Sequence, residues 1–156
     1  EFDQMKRIAG ELASNLVERL ARDCQSTADS EALTAQLQHF VHDYSFIQYA
    51  YVTDVKGHST AIAISDPGDQ KGYKAFPIGF DYSNREWFLQ PMRTGKLHIT
   101  NVHQSQVTGQ LIITVSTVIT DANDEIIGVL GADIQLEEII RGAESLEAEV
   151  PNSEEE

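Results

Sequence analysis

The segment Asp81-Tyr82-Ser83-Asn84-Arg85-Glu86-Trp87-Phe88 holds the side chains best suited to chemistry in this chain. Ser83 and Glu86 stand three apart, the spacing of a capping box, and predict that a helix opens here. Arg85 and Trp87 then fall in its first turn, beside backbone N–H groups that have no partner within the helix. Such an end attracts anions, and a guanidinium grips a carboxylate with two parallel hydrogen bonds. The chain's only tryptophan could wall off the site. The chemistry suggested is the holding of a small anionic or zwitterionic molecule. A surface helix whose Trp87 plugs a core, with Arg85 solvated, reads the same residues equally well. The segment alone leaves both open.

Other reactive residue types are weaker signals. His98 and His103 lie five apart and make no local metal pair. A lone histidine on a sheet edge is more often hydrogen-bonded structure than a ligand. Asp66 and Asp69 lack the ligand density of a calcium loop and read as turn formers. Cys24 is the only cysteine, so no internal disulfide forms and the redox compartment stays open. It has no obvious basic partner. No G-x-S-x-G elbow and no glycine-rich phosphate loop occurs. The sequence therefore asks for no catalytic residue, no metal and no cofactor. Thr114 and Ser116 put hydroxyls on one strand face, as weaker pocket candidates. Gly128 and Gly131 interrupt a strand pattern, which implies close approach of a backbone, a helix or a ligand.

Formal net charge is −14, and the last twenty residues carry eight Glu against one Arg. Nucleic acid is excluded as a partner, because phosphate neutralisation needs clustered Lys and Arg. A divalent-cation sensor suits the acidity, although acidic solvated surfaces are commoner. No apolar run is long enough to span a bilayer, and no signal peptide is visible. The first residues are Glu1-Phe2, which reads as a fragment of a longer protein.

The elements that must position these residues follow from periodicity. Met5, Ile8, Ala9, Leu12, Leu16 and Leu20 form one helical stripe in a helix running to about Asp23. Such a stripe can lie on its own domain or pair with a second copy. A second helix, capped by Asp29 or Ser30, buries Leu33, Leu37, Phe40, Val41 and Tyr44. Ile47 to Thr53 and His58 to Ser65 read as a hairpin turning at Asp54-Val55-Lys56-Gly57. Asp66 to Tyr82 shows no clean period and reads as a long loop. The helix carrying Arg85 ends near Arg93, with Pro91 implying a short or kinked helix. Leu97 to Val102, Leu111 to Thr120 and Glu125 to Ile134 read as three strands, and Gln135 to about Glu147 as a closing helix. The fold class is α+β around a five-stranded antiparallel sheet. Residues 1–148 form one domain, with 1–23 its long first helix and 149–156 an acidic tail.

Three local patterns in this order resemble the Cache sensor domains, relatives of PAS domains. They are Asp81 to Phe88, then Val107-Thr108-Gly109-Gln110 running into Ile112-Ile113-Thr114-Val115-Ser116, and Asp124 to Ile134 with its Gly-Val-x-Gly-x-Asp core. The span is too short for two lobes, so the single-lobed form is implied. The resemblance implies binding without chemistry, in the extracytoplasmic, periplasmic part of a membrane-anchored bacterial receptor. A cytoplasmic version of the fold is the alternative. The implied ligand is a small carboxylate or amino-acid-like molecule. Arg85 would grip its carboxylate, Trp87 would line the pocket, and Asp133 would hold its ammonium. Phe88 and His103 stand where amino-acid-binding members carry tyrosines, so two hydroxyl donors are missing, and His103 could donate to a carboxylate instead. Thr114 completes the expected set. The loop 66–82 would close over the ligand and the terminal helices would relay the change, the first of them serving as a homodimer seam. The alternatives are a ligand-free dimerisation module and the cation sensor.

Overall fold

Residues 2–24, 30–66, 68–105, 107–139 and 141 are described by the structure, a computed structural model. Two helices open it: α1 (Phe2–Cys24) and α2 (Ser30–Asp43). The strands are β1 (Ile47–Thr53), β2 (Ser59–Ile64), β3 (His98–Ile99), β4 (His103–Gln104), β5 (Leu111–Thr120) and β6 (Ile126–Gln135). They form one antiparallel sheet in the order β2-β1-β6-β5-β3, with β4 also paired to β5. The α+β class is as expected.

Of the expected strand from Leu97 to Val102 only β3 forms, and β4, on the same edge of β5, begins just beyond it. Thr100 explains the break. Its hydroxyl accepts the Thr114 N–H at 2.9 Å while its own N–H donates to the Thr114 carbonyl at 3.0 Å. A side chain has replaced one rung of the ladder, and the chain leaves the pleat for three residues.

Strand residues alternate between two buried faces. Ala50, Val52, Ala61, Ala63, Ile113, Val115, Leu130 and Ala132 lie under α1 and α2. Tyr49, Tyr51, Ile62 and Ile64 form a second cluster on the other face. Helix α1 lies on β5 and β6, and α2 lies on β1 and β2. The expected face of α2 is the buried one, with Tyr44 half-buried. The face of α1 is not. Ala9, Ala13, Val17, Leu20, Ala21 and Cys24 are buried, whereas Ile8 and Leu12 are each 46% exposed. Small residues win because the helix lies close on the sheet: a Cβ at Gly10 would sit 2.9 Å from Ile99 Cδ1. Summed hydrophobicity favours Ile and Leu over Ala and so points one position away.

The segment expected to be a loop contains helix α3 (Gln70–Ala75), capped by Asp69, whose Oδ1 accepts the Gly72 N–H at 2.8 Å. Gly72 reads as a breaker in sequence. Here it is buried against Tyr49, where a Cβ would meet Tyr49 Cε1 at 2.8 Å. Helix α4 (Glu86–Thr94) carries the Arg85 segment onto β5 and β6. Beyond β6, residues 136–139 are helical, and Leu136 and Ile139 join the core under α1. The rest of the expected closing helix and the tail 149–156 lie outside the described residues. Among the described residues no helix is long and apolar enough to cross a membrane.

Candidate functional site

Asp133 lies on β6, the central strand, on the face turned away from α1 and α2. It is 6% exposed. Burial pushes its carboxyl above the usual carboxylate range, and the hydrogen bonds it receives pull the other way. The Tyr51 hydroxyl donates to Oδ1 at 2.6 Å and the Thr114 hydroxyl donates to the same oxygen at 2.9 Å. No described residue donates to Oδ2, and Asp133 borders a cavity. Burial, with Asp133 beside it, also raises the Tyr51 phenol, which stays protonated as the donor.

Gly131 makes room for this arrangement. It pairs with Tyr51 across β1 and β6, and a Cβ there would sit 2.4 Å from Tyr51 Cε2. Gly128 answers a different need, because a Cβ there would collide with the Thr53 carbonyl oxygen. Gly128 thus serves close backbone approach, one of the readings the sequence left open, whereas Gly131 makes room for the Tyr51 side chain, which was not among them.

The cavity measures about 660 Å³, within the usual size of small-molecule sites. Tyr51, Phe76, Tyr82 and Trp87 supply its aromatic walls. Phe76 stacks on Tyr51 at 5.2 Å, and Trp87 meets Tyr51 edge-on at 4.8 Å. Arg85, with Lys71 and Lys74 from α3, adds three cations, and His103, Gln104, Ser105, Val107, Ile112 and Thr114 complete the lining. His103 Nδ1 lies 2.9 Å from the Asn101 carbonyl, which favours the proton on that nitrogen. Among the described residues no carboxylate pairs with Arg85, Lys71 or Lys74.

The Arg85 segment is held by the first hairpin. The Ser59 N–H donates to the Phe80 carbonyl, the Gly79 N–H to the Ser59 carbonyl and the Tyr82 N–H to the Gly57 carbonyl, at 3.0, 2.7 and 2.8 Å. Gly57 turns the hairpin at φ +90° and also lies against Ser83, where a Cβ would meet backbone at 2.8 Å. The expected capping box does not form. Asp81 takes both the N–H and the hydroxyl of Ser83, and His98 takes the Glu86 carboxylate. Arg85 is itself the N-cap, with no capping side-chain bond.

Helix α4 runs through Pro91 to a left-handed Gly95 at φ 70°. Proline has no N–H for the carbonyl four residues back, that of Trp87. The Ser116 hydroxyl donates to that oxygen at 2.7 Å. The pocket helix is thereby bonded into β5.

Of the residues singled out in sequence, Arg85, Trp87, His103, Thr114 and Asp133 border this one cavity. Phe88 does not. It is 5% exposed and lies outside the lining, because it follows Trp87 by one position and so turns about 100° around the helix. Two tyrosines that the sequence did not single out, Tyr51 and Tyr82, also border the cavity, the first with its hydroxyl already given to Asp133. Lys71, Lys74 and Phe76 were hidden in the supposed loop. Asp66 forms a turn, as expected, whereas Asp69 caps α3, a helix the sequence did not reveal. Burial pushes the Cys24 thiol up to about 12, which leaves it unreactive. Among the described residues no three His, Cys, Asp or Glu side chains gather to hold a metal.

Residues 30–141 match the family described as methyl-accepting chemotaxis protein-like, first PDC sensor domain. The chain is 37% identical over 145 residues to the citrate (Re)-synthase of Syntrophus aciditrophicus, a match covering 92% of this chain and 23% of that protein. It is 23% identical over 125 residues to the methyl-accepting chemotaxis protein McpA of Pseudomonas putida, covering 80% of this chain and 18% of that one. The ligand-binding domain of the Pseudomonas aeruginosa amino acid chemoreceptor PctC, solved in complex with GABA, superposes with a TM-score of 0.66 at 25% identity. That match covers 85% of this chain and 56% of the solved one. The chain thus spans about a quarter or less of the curated relatives and just over half of the solved domain.

Proposed function

The chain belongs to the methyl-accepting chemotaxis protein-like PDC sensor domains, a Cache/PDC-type sensor of a single lobe, and we propose that its ligand is a small carboxylate or amino-acid-like molecule. The observation that carries this reading is that Arg85 and Asp133 border one cavity. Arg85 holds the carboxylate, Trp87 covers it, and the free Oδ2 of Asp133 takes the ammonium, with His103 and Thr114 beside it. A zwitterion supplies the charge that compensates a buried carboxylate. GABA in the PctC domain is such a molecule. The domain binds and performs no catalysis. Its parent is membrane-anchored and presents it on the periplasmic side. Two copies meet along the exposed Ile8 and Leu12 of α1, and the terminal segments relay the ligand-bound state. Binding moves that equilibrium only by its differential affinity for the two states.

Thermal-shift measurement over a panel of amino acids and short carboxylates tests this. At least one compound should raise the Tm of the native chain, and Arg85→Ala should abolish that rise while the unliganded Tm stays within about 2 °C, as for an exposed side chain. An unchanged shift in Arg85→Ala would remove Arg85 from the site.

A further inference from the structure

Three of the chain's eleven Lys and Arg residues border this one cavity, in a chain of net charge −14. Against them stands a single buried carboxylate, Asp133. A ligand with one carboxylate and one ammonium is matched by Arg85 and Asp133 alone. It leaves Lys71 and Lys74 uncompensated. These two stand three apart on α3, the spacing that places side chains on one helix face, where like charges repel.

Their helix is fastened to the sheet on which Asp133 lies. Asp69 caps α3 through Oδ1, and its Oδ2 accepts the Tyr49 hydroxyl at 2.6 Å. Phe76, just past α3, stacks on Tyr51, the donor to Asp133. The two lysines are therefore set over the same hollow as Arg85, from a different wall. Among the described residues nothing anionic is paired with them.

We infer that the ligand is an acidic amino acid, whose second carboxylate is held by Lys71 and Lys74. This deepens the reading of the preceding section and rests on it. Asp133 takes the ammonium and Arg85 the α-carboxylate. The side-chain carboxylate supplies the negative charge that the α3 wall lacks. A cavity of about 660 Å³ has room for that longer molecule.

Glutamate and glutamine differ in this one charge at nearly constant shape, so calorimetric titration of the native chain with each is the test. L-Glutamate or L-aspartate should bind at least about tenfold tighter than its amide, the size of one charge-assisted contact. Lys71→Gln/Lys74→Gln should bring the acidic ligand down to the affinity of its amide and leave the amide unchanged. Both lysines are exposed, so the double variant should keep its Tm. Equal affinities for acid and amide, or equal weakening of both in the double variant, would overturn the inference while the broader amino-acid reading stands. Succinate binding more tightly than aspartate would overturn it too, by removing the amine. Binding of none of these compounds would overturn both.

Discussion

The hydroxyl of Tyr51 reaches Oδ1 of Asp133 at 2.6 Å by passing over Gly131, the residue with which Tyr51 is paired in register. The bond is a diagonal one, from β1 to a position two residues along β6. Such neighbours are about 7–8 Å apart at Cα, within reach of an aromatic side chain. What permits it is the missing side chain between them.

Gly131→Ala should therefore act on the pair and not only on the strand. The new methyl has no space beside the Tyr51 ring, and overpacking of this kind costs about 1–3 kcal/mol. Urea unfolding should show that loss, and ligand affinity should fall with it. A variant as stable as the parent would mean that the ring has another place to go.

Asp133→Asn should raise the stability of the unliganded protein at pH 7. The folded state holds a proton on Asp133 more tightly than the unfolded chain does, because burial raises its pKa. Its contribution is thus present at low pH and is lost as pH rises from the ordinary carboxylate range through the folded value. Asparagine keeps an oxygen for Tyr51 and Thr114 and removes the charge. The resulting rise in Tm at pH 7 should shrink towards zero as pH falls to the ordinary carboxylate range. Amino-acid binding should be lost. An Asn variant less stable at every pH would contradict this.

Ser116→Ala should cost about 1–3 kcal/mol, since it strips the Trp87 carbonyl of its donor. Pro91→Ala restores an N–H to the same oxygen. In that background the Ser116 substitution should cost less, by a coupling of about 0.5–3 kcal/mol in a double-mutant cycle of urea midpoints. Additive effects would show that the two groups do not share the carbonyl.

Ile8→Glu/Leu12→Glu tests the seam on α1. Both residues are 46% exposed in the single chain, so each change should alter its stability by no more than about 0.5 kcal/mol. Sedimentation equilibrium should report dimers for the parent and monomers for the variant. A parent that stays monomeric at high concentration removes this interface.

Element types were legible where one periodicity dominated. The first hairpin and the long β5–β6 hairpin read correctly because β-branched runs are bounded by Asp54-to-Gly57 and Asp121-to-Asp124 turns. Helix α3 was not legible, since six residues containing a glycine give no period to read. The α1 stripe, which could lie on its own domain or pair with a second copy, is only partly buried, because close packing selected alanine over leucine. The capping box failed because Asp81 and His98 compete for its two members.

At the site, Trp87 stood out as the chain's single tryptophan and Arg85 as a guanidinium at a predicted helix start. Tyr51 carried no such mark. Its importance comes from its position opposite Gly131, and strand register is a property of the folded sheet. Lys71 and Lys74 gained meaning only once α3 gave them a common face.

The strand that carries Asp133 is the middle one of the sheet, and Asp133 stands just two residues from its last rung at Gln135. At about 3.3 Å per residue that is roughly 7 Å of chain, after which the backbone turns helical at 136. A tug on this carboxylate would not need a long succession of rearrangements to get out of the sheet. It acts almost at the exit, so a stiff β6 would serve as a short push-rod whose stroke is set by how far one side chain moves.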